Sequence, residues 1–267
     1  MAVVRVGEVE LDCERSGAGP PLLAIMGMSG TALHWGEPFL APLREQFEVI
    51  AYDHRGVGRS SRLDGPLTIA QLAADASGLL DALEIDSAHV LGISMGGMVA
   101  QELALAHPEQ VRTLTLGCTY CGGEGSSQAA PEVIQRLFEA ISSGDRQRAL
   151  RTAWEINVSP AKAADADAYA AFLEISERRA VAVPVVMAQA QAVLGHDTSA
   201  RLQDLAMPTL VIHGTVDQLL PVANGRMIAA RIPGARLEIL DGVGHLFFWE
   251  QPEHAAELIA GHAAVRA

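Results

Sequence analysis

Lysine is almost missing from this 267-residue chain, where Lys162 stands alone among 19 basic residues. Arginine replaces it nearly everywhere, a compositional habit with little mechanistic content. An excess of positive charge is missing too. The net charge is −13 and the isoelectric point about 5.1, so the long-range field repels phosphate backbones and anionic membranes, and nucleic acid is not expected as a partner. No apolar run reaches the roughly 18 residues that a membrane span needs. Residues 1–12 alternate valine with charged residues where a secretory leader would carry a basic start and an apolar block. These absences predict a cytoplasmic protein without a membrane partner. Cys13, Cys118 and Cys121 are too few, and odd in number, for a disulfide framework. Cys118-Thr119-Tyr120-Cys121 matches C-x-x-C, but no helix signal begins there to lower a thiol's pKa, which favours a structural role over a redox one. The metal-binding spacings H-x-H-x-D and H-E-x-x-H are also absent, and neither a metal nor an organic cofactor is expected.

What the chain does have is alternation. Val3–Val6 and Val9–Cys13 switch apolar with polar residues around Gly7-Glu8, the pattern of an amino-terminal hairpin. Leu22–Met26, Phe47–Tyr52, His89–Ile93, Val111–Leu116, Thr209–His213 and Leu237–Leu240 are short apolar runs separated by helical stretches, as in parallel strands covered on both faces. Thr68-Ile69-Ala70-Gln71 has capping-box spacing and opens a helix expected to run to about Glu84. The fold class is therefore α/β, a mostly parallel doubly wound sheet. Residues from about 122 to 199 break the alternation. Four helix-like segments, near 131–142, 146–156, 164–180 and 184–194, predict a helical cap inserted in a core made of residues 1–121 and 200–267.

The chemistry gathers at Gly92-Ile93-Ser94-Met95-Gly96, where a buried strand signal runs straight into a helix signal. A strand that becomes a helix without a linker strains its hinge residue by roughly 1–3 kcal/mol. That strain lifts the Ser94 hydroxyl above the sheet and aims the Met95 N–H at the same point. A neutral serine needs a general base and a group to orient that base. Asp217, a few residues past the strand Thr209–His213, and His245, past Leu237–Leu240, supply them in the order Ser, Asp, His. Asp241 is a rival acid only four residues from His245, and before Gly242 it reads as a turn former. His213 reads as a packed strand end, and His196-Asp197 as a tether for the cap.

With G-x-S-x-G after a strand and that order of residues, the chain resembles the α/β-hydrolase superfamily, and within it the small esterases and enol-lactonases. Asp53-His54-Arg55-Gly56-Val57-Gly58-Arg59-Ser60 is similar to the family's D-x-R-G-x-G-x-S turn, and Met26-Gly27-Met28 occupies the loop that usually reads His-Gly-x. The resemblance implies that the Met28 N–H joins that of Met95 in an oxyanion hole. With Met26 in place of histidine, the hydrogen bond that residue would make behind the loop is expected to be lost.

The implied reaction is hydrolysis of a carboxylic ester or lactone, a small-molecule substrate, by a monomer or small homo-oligomer. Carbon–carbon hydrolysis of a ring-cleavage product and perhydrolysis use the same triad, and a ligand receptor on this fold is a reading of another class. An aspartate would mark the elbow of a dehalogenase or epoxide hydrolase, and Ser94 argues against both. Leu219, Leu246 and Phe247 from the core and Phe138, Trp154, Phe172 and Met187 from the cap are the expected pocket wall. Arg136, Arg151 or Arg178 would be available for a substrate carboxylate.

Overall fold

A computed structural model describes residues 2–264. Eight strands form one sheet: β1 (Ala2–Val6), β2 (Val9–Gly17), β3 (Pro21–Ile25), β4 (Glu48–Tyr52), β5 (Ala88–Ile93), β6 (Val111–Gly117), β7 (Thr209–Gly214) and β8 (Arg236–Leu240). Their spatial order is β1-β2-β4-β3-β5-β6-β7-β8, antiparallel at β1–β2 and β2–β4 and parallel elsewhere. The hairpin turns at Gly7, whose φ of 57° suits a residue without a Cβ. β2 runs four residues past the expected end at Cys13. Glu14–Gly17 pair with Ala51–Glu48, and side chains half in water carry no apolar signature.

The helices are α1 (Glu37–Arg44), α2 (Ile69–Ala82), α3 (Met95–Ala106), α4 (Pro131–Ser142), α5 (Arg146–Asn157), α6 (Pro160–Ala163), α7 (Ala166–Arg178), α8 (Val183–Leu194), α9 (Ala223–Arg231), α10 (Phe247–Glu250) and α11 (Pro252–Ala263). One apolar core joins α2, α3 and α9 to one face of the sheet, and a second joins α1, α10 and α11 to the other. Being covered twice, β5 and β7 are buried at every residue, which is why they read as unbroken apolar runs. The Thr68–Gln71 capping box forms as expected, with Gln71 N–H donating to Thr68 Oγ1 at 3.1 Å and Thr68 N–H to Gln71 Oε1 at 2.9 Å.

Helices α4–α8 lie between β6 and β7 in the chain. The third expected segment is α7, which Asp165 starts by accepting from the Ala168 N–H at 3.0 Å, and a short turn of helix that was not expected, α6, capped by Ser159, precedes it. Trp154, Val158 and Phe172 make a small apolar core there, closed by Leu246 and Trp249 from the sheet unit. Two polar bridges complete the attachment. Glu250 accepts from the Gly244 and Ser159 backbones at 2.7 and 2.9 Å, and Arg179 Nη1 donates at 2.7 Å to both Asp12 Oδ2 and Asp53 Oδ2. Both aspartate side chains are fully buried. Removing one partner of such a bridge leaves uncompensated buried charge, at a cost of about 3 kcal/mol. Arg179→Met is therefore expected to lower Tm by roughly 6–12 °C in a chain of this size. A calorimetric shift below about 2 °C would mean that water already screens the bridge.

Strand order places the site. The chain leaves the adjacent carboxyl ends of β3 and β5 at the point where the sheet reverses its winding direction, the position where open α/β sheets hold ligands. Ile25 pairs with Gly92, so the loop after β3 begins beside Ser94.

Candidate active site

Ser94 joins β5 to α3 with φ 56° and ψ −123°, a region few side chains adopt. Close packing enforces the turn. A Cβ on Gly92 would lie 2.2 Å from the Gly96 carbonyl oxygen, and one on Gly96 2.0 Å from that of Ile25. The Ser94 backbone is pinned on both sides: its N–H donates to Gly117 O at 2.9 Å, and its carbonyl accepts from Thr119 Oγ1 at 2.7 Å. Met95 opens α3, so its N–H has no carbonyl within the helix to bond.

The loop after β3 lies against this turn, with a notional Cβ of Gly27 only 3.1 Å from Ser94 Cβ. Among the described residues the Met28 N–H has no hydrogen-bond partner. Two contacts hold the loop. Ser29, with φ 59°, donates its N–H to Oε1 of the fully buried Gln189 on α8 at 2.9 Å. His54 Nε2–H donates to the Met26 carbonyl at 2.9 Å. The loss expected from Met26 is thus made good by an imidazole from the other side, out of the Asp53–Ser60 turn. Neither His54 nor Gln189 carried a local sequence signal for this role.

Asp217 and His245 meet at the ends of β7 and β8. His245 Nδ1 lies 2.7 Å from Asp217 Oδ2, and the Leu219 and Leu220 N–H groups each donate to Asp217 Oδ1 at 2.9 Å. His213, expected only to end its strand, donates from Nε2 to Leu220 O at 2.7 Å and brings that same nitrogen within 3.4 Å of Asp217 Oδ2. Burial by itself would raise the Asp217 carboxyl, but the charge and hydrogen bond of His245, with the His213 ring close beside them, hold it well below the usual carboxylate range. With Asp217 ionised, Nδ1 of His245 carries the proton and Nε2 is left as a base. Asp241 stands apart at an exposed turn, accepting from Thr215 Oγ1 at 3.2 Å.

Ser94 and His245 line one cavity of about 330 Å³, between the carboxyl end of the sheet and the helical segment. No hydrogen bond joins the Ser94 hydroxyl to the imidazole. Of the expected pocket wall, Leu219, Leu246 and Phe172 line the cavity, with Met28 beside them. The other four side chains lie elsewhere. Phe247 is buried under the sheet against Gly117 and yields its place to Phe248, while Trp154 is spent in the core of the helical segment. Phe138 and Met187 point outward, 69% and 57% exposed, because an apolar stripe on a surface helix does not reveal which side covers the cavity. The arginines differ as well. Arg136 and Arg151 both pair with Glu155, and Arg178 borders a separate cavity of about 390 Å³ beside α1. Arg146 and Arg179 line the cavity that holds Ser94 and His245 instead.

Cys118 Sγ lies within 4.8 Å of donor atoms of Asp217 and His245, a trio of metal-ligand types. Its chemistry fits packing better than ligation. Burial pushes the thiol well above its usual range, and His245 Nδ1 is already committed to Asp217. All three cysteines are buried and unpaired.

Residues 20–252 match the family model of the α/β-hydrolase fold. The candidate carbamate hydrolase RutD of Azorhizobium caulinodans is 34% identical over 259 residues, covering 96% of this chain and 95% of that protein. A hydrolase of Pseudomonas aeruginosa PA01 superposes with TM-score 0.85 at 30% identity, over 99% of this chain and 98% of its own. The enol-lactonase of Burkholderia xenovorans LB400 gives TM-score 0.82 at 27% identity, over 99% and 100%. Among the described residues no helix is long and apolar enough to cross a membrane.

Proposed function

This chain belongs to the α/β-hydrolase family and is a hydrolase, and from that premise we propose that it cleaves carboxylic esters or lactones through an acyl-enzyme on Ser94. The observation that carries the reading is the Asp217–His245 hydrogen bond at the wall of a cavity that also contains a serine on a strained strand–helix turn. His245 Nε2 takes the hydroxyl proton as Ser94 Oγ attacks the carbonyl carbon, a contact that forms with substrate in place. The tetrahedral oxyanion rests on the unengaged Met28 and Met95 N–H groups, each such donor being worth about 2.7–4 kcal/mol in this chemistry. The leaving alkoxide takes the proton from His245. Water then repeats the sequence on the acyl-enzyme and frees the acid.

Helices α4–α8 act as the cap. They supply Phe172 and Val186 to the apolar wall, and through Gln189 they hold the oxyanion loop in its left-handed turn. Mostly apolar walls suit the uncharged body of an ester or lactone. The enol-lactonase likeness points the same way, toward a small-molecule substrate.

A fluorophosphonate probe tests the assignment, because it phosphonylates a serine only where a base and an oxyanion hole act together. Stoichiometric modification of the peptide containing Ser94, with parallel loss of p-nitrophenyl ester hydrolysis, is the expected result. Modification of another residue, or none in folded protein, would overturn it.

A further inference from the structure

The catalytic cavity is electrostatically unlike the rest of the molecule. The chain carries 32 acidic and 19 basic residues, yet among the described residues no aspartate or glutamate lines this cavity while two arginines do. Arg179 is neutralised by the buried Asp12 and Asp53. Arg146, the first residue of α5, is not. Among the described residues it has no carboxylate partner, and its one hydrogen bond runs from Nη2 to the Ser176 carbonyl at 2.9 Å. Ser176 also fixes a second donor at the same end of the cavity. His34 Nδ1 accepts the Thr31 N–H at 3.0 Å, so the ring proton sits on Nε2, 3.3 Å from Ser176 Oγ, whose own proton goes to Phe172 O at 2.8 Å. Burial pushes the His34 imidazole down to about 4, so near neutral pH it is an uncharged donor.

We propose that the substrate carries a free carboxylate, bound by the Arg146 guanidinium and the His34 Nε2–H where both meet Ser176, while its ester or lactone carbonyl reaches Ser94. The inference rests on the hydrolase reading and names its substrate class: half-esters of dicarboxylic acids, or lactones bearing a carboxylate side chain. A carboxylate fits better than a phosphate. One uncompensated guanidinium matches a single negative charge, and its planar fork matches two oxygens in a plane. The long His34–Ser176 contact is one that a carboxylate oxygen can replace with a shorter, charge-assisted bond.

Two esters of equal acyl length, p-nitrophenyl hemiadipate and p-nitrophenyl hexanoate, separate the charge from the apolar chain. The wild type is expected to favour the hemiadipate at least tenfold in kcat/KM. Arg146→Gln should cut that activity roughly 10–100-fold, the range of a lost charged hydrogen bond, and leave the hexanoate within about twofold, while Arg146→Lys restores part of the loss. Equal loss on both esters, or no preference in the wild type, would overturn the subsite and leave the hydrolase reading standing. Calorimetry separates the two ideas further. Hemiadipate binding to Ser94→Ala should weaken about tenfold when Arg146→Gln is added, and unchanged affinity refutes the carboxylate site whatever the turnover.

Discussion

Ser94→Ala is expected to lower kcat for p-nitrophenyl acetate by about 10⁶-fold, the size of loss seen when the nucleophile of a serine hydrolase is removed, with no change in fold. The structure makes this an unusually clean substitution. Ser94 Oγ makes no hydrogen bond among the described residues, so its removal leaves no buried group unpaired. Alanine keeps the Cβ, so the strain at φ 56° is the same before and after. The contacts that pin the turn, Ser94 N–H to Gly117 O and Thr119 Oγ1 to Ser94 O, are both to the backbone and survive. Residual turnover should come from the oxyanion donors and substrate binding, roughly 10³–10⁴ over water. Stopped assays on purified protein, with Tm measured alongside, check both halves. Near-normal turnover would remove Ser94 from the mechanism, whatever the fold.

The clarity of Ser94 in the sequence has a physical source that most of the site lacks. A strand-to-helix turn without a linker must be written locally, since Gly92 and Gly96 are needed within two residues of the hinge. The parallel strands are equally local, because burial on both faces forces unbroken apolar runs. Asp217 and His245 were legible as residues past strand ends, but their meeting depends on the pairing of Gly214 with Leu240 in the sheet. The supporting groups come from farther away. His54 reaches back to Met26, Gln189 reaches Ser29 across 160 residues of chain, and Arg179 bridges an aspartate on β2 and one just past β4. A buried polar side chain selected for one distant partner leaves no periodicity around itself. The same holds for the cavity wall: Phe138 and Phe172 look alike on their helices, and only tertiary packing turns one outward and the other in. The Glu14–Gly17 extension of β2 was hidden for the opposite reason, since an exposed strand carries ordinary polar residues.

Asp217→Asn should lower kcat by about 10⁴-fold, as expected when the orienting carboxylate of such a triad is replaced by its amide, whereas Asp241→Asn should change it by less than about twofold. The contrast follows from what each carboxylate touches. Asp217 Oδ2 accepts the proton on His245 Nδ1 at 2.7 Å, and two backbone N–H groups hold Oδ1 in place. An asparagine there keeps Oδ1 on those two donors and turns its NH₂ toward His245. The imidazole must then accept at Nδ1 and carry its proton on Nε2, where it can no longer receive one from Ser94. His213, 3.4 Å from the same oxygen, cannot substitute, because its own Nε2–H is committed to Leu220 O. At Asp241 an amide oxygen accepts from Thr215 Oγ1 as well as a carboxylate does, and the side chain is exposed at a turn. Both proteins should remain folded, since each amide conserves shape and its backbone bonds. Steady-state kinetics on the pair decides the assignment: a large loss at Asp241 with little at Asp217 would move the acid from the end of β7 to the end of β8.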